Sequence, residues 1–192
     1  MVSASVNISN IKISLTCECN EDILRKYAQE QPENIVHRPI TKSFFLFRLK
    51  IDNHDVVITI YYKGHINVTG IKKLSEISIL WSIIGEIPGI IKANKIKVDN
   101  ITATSKLEVG NLRKQKYSFE RILQLIEQSD EIKCVQYSSI KFPGAFIRVK
   151  QRGTLVLFPS GKFNILGCAK FSEITQLENL LNGIITDFIL FN

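Results

Sequence analysis

The side chains best suited to chemistry in this chain are amides, hydroxyls and cations at alternate positions of short hydrophobic stretches. In the first half these positions hold Asn10, Lys12, Arg48, Lys50, Thr59, Tyr61, Asn67 and Thr69. In the second half they hold Asn100, Thr102, Arg148, Lys150, Val156, Phe158, Asn164 and Leu166. Neither set contains Asp or Glu, although the chain has 18 of them. Such a surface suits contact with phosphates and base edges, and an ordinary solvated sheet face is the alternative.

The net charge favours a polyanionic partner. The formal charge is +7 and the pI is about 9.2. Residues 1–92 carry 11 Lys/Arg against 9 Asp/Glu, whereas residues 93–192 carry 14 against 9. The second half is therefore the more basic, and a basic surface attracts polyanions such as nucleic acid.

Other chemistries find little support in the sequence. His37, His54 and His65 lack metal-ligand spacing, and Ser160-Gly161-Lys162 lacks the remaining residues of a phosphate-binding loop. No nucleophile elbow or dinucleotide-binding fingerprint is present. We therefore predict a protein that is not an enzyme and has no cofactor and no metal.

Cysteine spacing and hydropathy indicate the redox state and exclude a membrane span. The four cysteines (Cys17, Cys19, Cys134, Cys168) show no paired spacing, so we expect free thiols in a reducing compartment. The longest apolar stretch, Ile77–Ile91, is interrupted by Glu86 and Pro88 and is too short to span a bilayer. We predict no membrane association.

An internal repeat dominates the organisation of the chain. Gly64–Ile77 reads GHINVTGIKKLSEI, and Gly161–Ile174, 97 residues later (161 minus 64), reads GKFNILGCAKFSEI. Both copies keep two glycines, an Asn between them, a Lys and the Ser-Glu-Ile sequence. We therefore predict two copies of one unit, residues 1–92 and 93–192, with pseudo-twofold symmetry. Duplex DNA is itself nearly twofold and suits such a surface.

Alternation and capping residues predict the elements that carry these side chains. Beyond the stretches that begin near Asn10 and Asn100, the predicted strands are Phe44–Ile51, Val56–Tyr62, His65–Thr69, Phe146–Lys150, Thr154–Phe158 and Lys162–Leu166. Hairpin turns fall at Lys63-Gly64 and Ser160-Gly161. Helices are expected after the caps Asn20, Ser75, Ser118 and Ser172. The predicted class is α+β, an antiparallel sheet with its helices on one side and its other face open.

The sequence resembles the TATA-box-binding protein family. The second repeat carries the resemblance most clearly, through Phe142–Arg148 (FPGAFIR), Leu155–Lys162 (LVLFPSGK) and Gly167–Lys170 (GCAK). The first repeat matches at Asn10-Ile11, Phe47-Arg48 and Asn67–Gly70 (NVTG). The resemblance implies a saddle, in which two pseudo-symmetric repeats form one curved antiparallel sheet with helices on its convex face and DNA beneath.

The family's DNA-contacting residues are carried over by position. The resemblance implies base-edge contacts by Asn10, Asn100, Asn67, Asn164, Thr69 and Thr102. It implies wedges that open base steps at Phe142, Phe158 and Tyr61. It implies phosphate contacts by Arg48, Lys72, Arg148 and Lys162.

Departures from the family pattern weaken specific expectations. In the first repeat the two wedge positions are Lys42 and Tyr61, so we expect weaker kinking there, or insertion of Phe44 or Ile40 instead. Asn67, Asn164, Lys12 and Thr102 replace apolar residues, and Leu166 replaces a threonine, so strict TATA preference is in doubt because an amide can also accept from guanine. The acidic residues that the family offers to transcription factor IIB are Ser138 and Ile140 here.

A hydrophobic helix at residues 74–87, which includes Trp81, stands where the family has a basic one. We interpret it as a buried packing helix, with a docking surface for a partner or for a homodimer as the alternative.

These observations predict a transcription factor that binds and bends A·T-rich promoter DNA through the minor groove. The partners expected from the resemblance are double-stranded DNA, RNA polymerase and a protein like transcription factor IIB. The alternatives are an adaptor module with altered DNA specificity and a docking domain of a nucleic-acid enzyme. The composition, rich in Ile, Lys and Asn, favours an A·T-rich source such as a virus, and we expect the nucleus or, for a virus, a cytoplasmic transcription site.

Overall fold

A computed structural model describes residues 6–30 and 43–191. The chain separates into two compact units. One comprises Asn10–Asp99, and the other runs from Asn100 onward and includes the residues up to Ser9. We refer to them as the N-terminal and C-terminal units. This separation does not test the predicted boundary between residues 92 and 93 or the predicted pseudo-twofold symmetry, and both stay predictions.

The N-terminal unit is an antiparallel sheet with two helices. Its elements are β1 (Asn7–Cys19), α1 (Glu21–Glu30), β2 (Phe44–Ile51), β3 (His54–Tyr61), β4 (His65–Ile71), α2 (Ser75–Gly85) and β5 (Ile90–Ala93). The strands lie in the order β2-β3-β4-β1, and β5 pairs with the end of β1. The turn between β3 and β4 uses Gly64 at a φ of 82°, a left-handed conformation that favours glycine.

The C-terminal unit has a similar series of elements, with an added 3-10 helix and with one more described strand between its two α-helices. The elements are β6 (Lys97–Lys106), a short 3-10 helix (Leu112–Lys114), α3 (Phe119–Glu127), β7 (Ile132–Ser138), β8 (Phe142–Val149), β9 (Thr154–Leu157), β10 (Lys162–Cys168) and α4 (Phe171–Phe191). The strand order is β6-β10-β9-β8-β7, with antiparallel pairing between neighbours. The predicted turn at Ser160-Gly161 is confirmed, since Gly161 N donates to Phe158 O at 2.9 Å.

Each unit has its own hydrophobic core between the sheet and its helices. In the N-terminal unit the strands contribute Ile11, Ile13, Ile58, Ile60 and Val68, and the helices contribute Leu24, Ala28, Leu80 and Ile84. In the C-terminal unit the equivalent set is Ile147, Leu155, Phe163, Ile165, Ile122, Ile126, Leu177 and Leu181. Burying each such side chain contributes about 1.5–3 kcal/mol. The strand residues among them all lie on one side of their strands. The side chains on the opposite side of each strand are not part of this core.

Two of the four predicted helix caps are confirmed, and two are wrong. Asn20 Oδ1 accepts from Ile23 N at 3.2 Å, and Ser118 Oγ accepts from Arg121 N at 3.2 Å. Ser75 is instead the first residue of α2, and the residue before it, Leu74, makes no side-chain cap. Ser172 is the second residue of α4. In both cases a glutamate one position later binds the preceding loop.

Candidate nucleic-acid interface

The side of the strands that faces away from the helices forms what we call the open face of each unit. In the N-terminal unit it carries Asn10, Lys12, Ser14, Thr16, Phe44, Leu46, Arg48, Val57, Thr59, Tyr61, His65, Asn67 and Thr69. Strand register arranges these side chains in rows. One row runs Thr16, His65, Tyr61, Phe44, and the next runs Ser14, Asn67, Thr59, Leu46.

The open face of the C-terminal unit has matching rows. It carries Asn100, Thr102, Thr104, Lys106, Phe142, Phe146, Arg148, Phe158, Lys162, Asn164 and Leu166. One row runs Lys106, Lys162, Phe158, and the next runs Thr104, Asn164, Val156, Phe146. The register thus brings the predicted residues of each repeat together within its own unit.

Two residues that alternation assigned to this face are not available there, one because it is buried and one because it lies outside the strand. Val156 is only 3% exposed, because the neighbouring side chains of the row cover it. Lys150 lies in the turn after β8, where its backbone N donates to Glu131 O at 2.9 Å. Strand alternation does not extend through a turn, and Gln151 at a φ of 53° marks that turn.

The open face is not free of acids, as the sequence-based set suggested. Asp55 lies on the same side of β3 as Thr59 and Tyr61, and its Oδ2 is 3.9 Å from Arg48 Nη1. Asp99 accepts from Ser14 Oγ at 3.0 Å. Both lay outside the predicted strands, which began at Val56 and Asn100, two residues after the start of β3 and three after the start of β6. The half-exposed pair of Arg48 and Asp55 is worth little in solution.

The asparagines at the two equivalent strand positions are held by backbone bonds. Asn10 Oδ1 accepts from Gly70 N at 2.6 Å, and Asn100 Oδ1 accepts from Gly167 N at 3.0 Å. Gly70 and Gly167 are themselves equivalent in the repeat, with φ of 96° and 80°. Each bond occupies one of the two lone pairs of the amide oxygen and fixes which end of the amide is turned toward the glycine.

The remaining predicted base-edge residues differ in how they are held. Asn67 Oδ1 is 3.0 Å from His65 Nε2, and the hydroxyls of Thr102 and Ser9 are 2.9 Å apart. Asn164 lies opposite Thr104 in the C-terminal unit, and Thr69 lies opposite Val57 in the N-terminal unit. All four predicted side chains are partly exposed on the open face.

Three phenylalanines form an aromatic cluster on the C-terminal open face. The Phe142 ring centroid is 5.8 Å from that of Phe158 and 5.3 Å from that of Phe146. Phe142 and Phe146 are each 39% exposed. Gly144 lies beneath the cluster, and a Cβ there would come within 2.8 Å of Phe142 and 2.9 Å of Phe158. Sequence reasoning missed Phe146, although its alternation with Phe142 and Arg148 was the available signal.

The N-terminal open face has a different aromatic arrangement. Tyr61 packs against Phe44 with ring centroids 5.3 Å apart and ring planes inclined at 47°, and its centroid is 5.7 Å from that of His65. Phe44 occupies the strand position that Gly144 holds in the other unit. Lys42 and Ile40, which the sequence also raised as wedge positions, and His37 lie outside the described residues.

The predicted phosphate-contacting cations are exposed on the strands or just after them. Arg148 and Lys162 belong to the C-terminal open face, and Lys72 directly follows β4. Of these four cations only Arg48 forms an ion pair within the described ranges.

Away from the open face, α2 presents apolar side chains to solvent. Leu74 is 52% exposed, Ile79 is 49% exposed and Trp81 is 39% exposed, while Leu80 and Ile84 are buried. The interpretation of this helix as a buried packing helix therefore holds for one face only, which packs on the unit through Leu80 and Ile84. The predicted docking role stays a prediction.

The thiols offer no activated nucleophile. All four cysteines are unpaired. Burial raises the pKa of the Cys17 thiol to about 11, and burial does the same for the pKa of Cys168. Thiols with such values stay protonated near neutral pH and react slowly. Among the described residues, no three His, Cys, Asp or Glu side chains could together hold a metal ion. Of the helices within residues 6–30 and 43–191, none combines the length and apolar character that crossing a bilayer requires.

Comparison with known proteins agrees with this architecture. The family model of transcription factor TFIID (or TATA-binding protein, TBP) matches residues 5–87 and again 95–188. The TATA-binding protein of Methanococcus jannaschii has the same fold, with a TM-score of 0.72 and 20% identity over 95% of this chain and 99% of that one. A heterotetrameric sarcosine oxidase from Corynebacterium sp. U-96 scores only 0.31, at 10% identity over 96% of this chain and 85% of that one, and carries no argument.

The predicted α+β fold of two similar repeats is thus confirmed, and the family that matches is one of transcription factors rather than of enzymes. This chain belongs to the TATA-binding protein family and is a TBP-like transcription factor.

Proposed function

We propose that the open face of each unit contacts the minor groove of A·T-rich promoter DNA, and that the C-terminal unit kinks the duplex. The observation that carries this proposal is the cluster of Phe142, Phe146 and Phe158 beside Arg148 and Lys162. Large apolar side chains that remain exposed among cations favour a partner with both apolar and anionic surfaces. Stacked bases flanked by phosphates are such a partner, and TATA-binding protein is itself a reference example of wedge insertion.

Asn10 and Asn100 support the A·T preference. In the minor groove every A·T pair shows only acceptors, whereas a G·C pair adds the guanine amino donor. The bonds to Gly70 and Gly167 turn each amide oxygen toward the backbone, so we expect the amides to meet base edges mainly as donors. Donors facing the groove pair with A·T and leave the guanine amino group without an acceptor. Asn67, Asn164, Thr69 and Thr102 add further polar contacts with base edges.

The cations supply the electrostatic part of the affinity. Arg48, Lys72, Arg148 and Lys162 bind phosphates and release counterions, so the affinity falls steeply with salt. Arg48 must exchange Asp55 for a phosphate, whereas Arg148 has no such competitor among the described residues. Tyr61 packs against Phe44 and carries a polar hydroxyl, so we expect it to insert less deeply than Phe158 and the N-terminal unit to kink its half of the site less.

Bound to a promoter, the protein nucleates transcription and recruits an RNA polymerase. A protein like transcription factor IIB would meet Ser138 and Ile140, the latter 96% exposed, in place of acidic side chains. That contact would be apolar rather than ionic. Nuclear location, or a cytoplasmic transcription site for a viral source, follows from this role.

The wedge assignment is tested by replacing Phe142 and Phe158 together with alanine. We expect the double variant to lose DNA bending, measured by energy transfer between dyes on the two ends of an A·T-rich duplex. Its fold should persist because Phe142 is 39% exposed and aromatic pairs are worth only about 0.5–1.5 kcal/mol each. Phe171→Ala is the matched control, since Phe171 is 36% exposed at the start of α4. Bending that survives in the double variant would show that the wedge assignment is wrong.

An adaptor that binds a protein is the second candidate. The exposed apolar residues of α2 favour it, because a soluble surface seldom carries Leu74, Ile79 and Trp81 together without a partner. A second copy of the chain is another possible occupant of this helix. An adaptor that has lost its DNA function would show neither bending nor sequence preference.

A further inference from the structure

Two lysines face each other at the end of the C-terminal open face. The register of β10 and β6 pairs Lys162 with Lys106, and Asn164 with Thr104 next to them. Both lysines are exposed. Like charges directly opposite each other across antiparallel strands destabilise a sheet. Neither lysine is in an ion pair with any carboxylate of the described residues.

The N-terminal unit shows that the fold does not require this repulsion. His65 follows Gly64 as Lys162 follows Gly161, and the residue opposite His65 is Thr16. The Thr16 hydroxyl accepts from Asn94 Nδ2 at 3.1 Å. The equivalent pair in the N-terminal unit is thus a threonine and a histidine, whose side chains bond to Asn94 and Asn67, whereas both members of the pair in the C-terminal unit are lysines. Like charges at directly opposite strand positions, present in only one of two repeats, are typical of a functional site.

The surroundings of the two lysines suit an anion. Both line a groove of about 500 Å³, whose wall also includes Asn7, Thr104 and Asn164. Phe158 borders Lys162 on the other side, since Phe158 N donates to Lys162 O at 2.9 Å. A phosphodiester oxygen between the two ammonium groups would turn their repulsion into two charge-assisted hydrogen bonds.

We infer that Lys106 is a phosphate-binding residue, and that Lys106 and Lys162 together bind the backbone of the duplex next to the step opened by Phe158. The inference rests on the proposed function and extends it to a contact outside the predicted set. It also gives a role to part of the larger positive charge of residues 93–192, because the lysine pair is present in that half and not at the equivalent positions of the first.

Lys106→Gln tests the inference, because glutamine removes the charge and keeps a polar side chain that is only one atom shorter. We expect the melting temperature of the free protein to rise, since the repulsion with Lys162 is relieved. We expect DNA affinity to fall, and the slope of log affinity against log salt to decrease by about 1. Arg121→Gln on α3 is the control and should leave both the slope and the affinity unchanged.

The outcomes separate the two proposals. If the unsubstituted chain binds no duplex, the proposed function and the lysine site both fail. If Arg148→Gln lowers the salt slope but Lys106→Gln does not, only the Lys106 assignment fails. If Lys106→Gln lowers the melting temperature together with the affinity, Lys106 is a structural residue and the assignment fails as well.

Discussion

At the scale of single residues, hydrogen bonds decide what the central asparagines can recognise. From the sequence alone an asparagine can donate to A·T acceptors or accept from guanine, so the base preference was open. The bonds from Gly70 N to Asn10 and from Gly167 N to Asn100 occupy one lone pair of each amide oxygen and orient the amide, which favours the donating role. These backbone donors lie 60 and 67 residues away in the chain, which is why no local pattern could reveal them.

Asn100→Asp separates the donor role of this side chain from its structural role. The carboxylate still accepts from Gly167 N, so we expect the melting temperature to change little. The variant loses the NH₂ donor and adds a negative charge facing base acceptors, so the affinity for A·T-rich duplex should fall by about 1–3 kcal/mol or more. Fluorescence anisotropy with a labelled duplex measures the change. An affinity equal to that of the unsubstituted chain would mean that Asn100 donates nothing to DNA.

Residue types on the open face were mostly predictable, and their pairings were not. Alternation placed Arg148, Lys162 and Asn164 correctly because strands put successive side chains on opposite faces. It also put Val156 on the correct side but could not show that this side chain is buried, because the burial depends on neighbours from two other strands. It also gave no sign that Asp55 competes for Arg48.

At the scale of elements, the repeated Ser-Glu-Ile sequence acts through its glutamate. Glu76 Oε2 accepts from Lys72 N at 3.0 Å, and Glu173 Oε2 accepts from Ala169 N at 2.8 Å and Lys170 N at 3.2 Å. Each glutamate therefore fixes the loop between the last strand and the helix of its unit. In the N-terminal unit that loop carries Lys72, one of the proposed phosphate contacts.

The two glutamates should differ in their contribution to stability. Glu76 is 1% exposed and also lies 3.2 Å from His54 Nε2, whereas Glu173 is partly exposed. We expect Glu76→Ala to destabilise the fold by about 1–3 kcal/mol, because it leaves His54 and Lys72 N without their acceptor. Glu173→Ala should cost less, since water can replace the lost carboxylate. Urea unfolding of both variants measures the difference, and an equal or reversed order would contradict this role of burial.

The elements themselves were largely predictable from periodicity and caps. Strands β2, β3, β4, β9 and β10 and the starts of α1 and α3 agree with the sequence to within about two residues. Strands β5 and β7 were missed. β5 has only four residues, and β7 is broken by shifts in register that blur its alternation. Ser75 and Ser172 were wrongly predicted as caps because serine is a common cap residue. The side chains that accept from the backbone at these helix starts are instead Glu76 and Glu173.

At the scale of the whole molecule, the two repeats share a fold and differ in chemistry. The second half has the larger excess of basic residues, the exposed phenylalanine cluster and the lysine pair. In the first half Asp55 partly neutralises Arg48, and the wedge position holds Tyr61, which packs against Phe44. Duplication thus fixed the architecture, and we infer that the C-terminal unit deforms DNA the more strongly.

The central claim is that this chain reads A·T-rich duplex from the minor groove and bends it. The most direct test measures affinity and end-to-end energy transfer for A·T-rich and G·C-rich duplexes of equal length, at two salt concentrations. We predict tighter binding and a clear bend on the A·T-rich duplex, with affinity falling as salt rises. Equal affinity for both duplexes without any bend would contradict the claim and favour the adaptor.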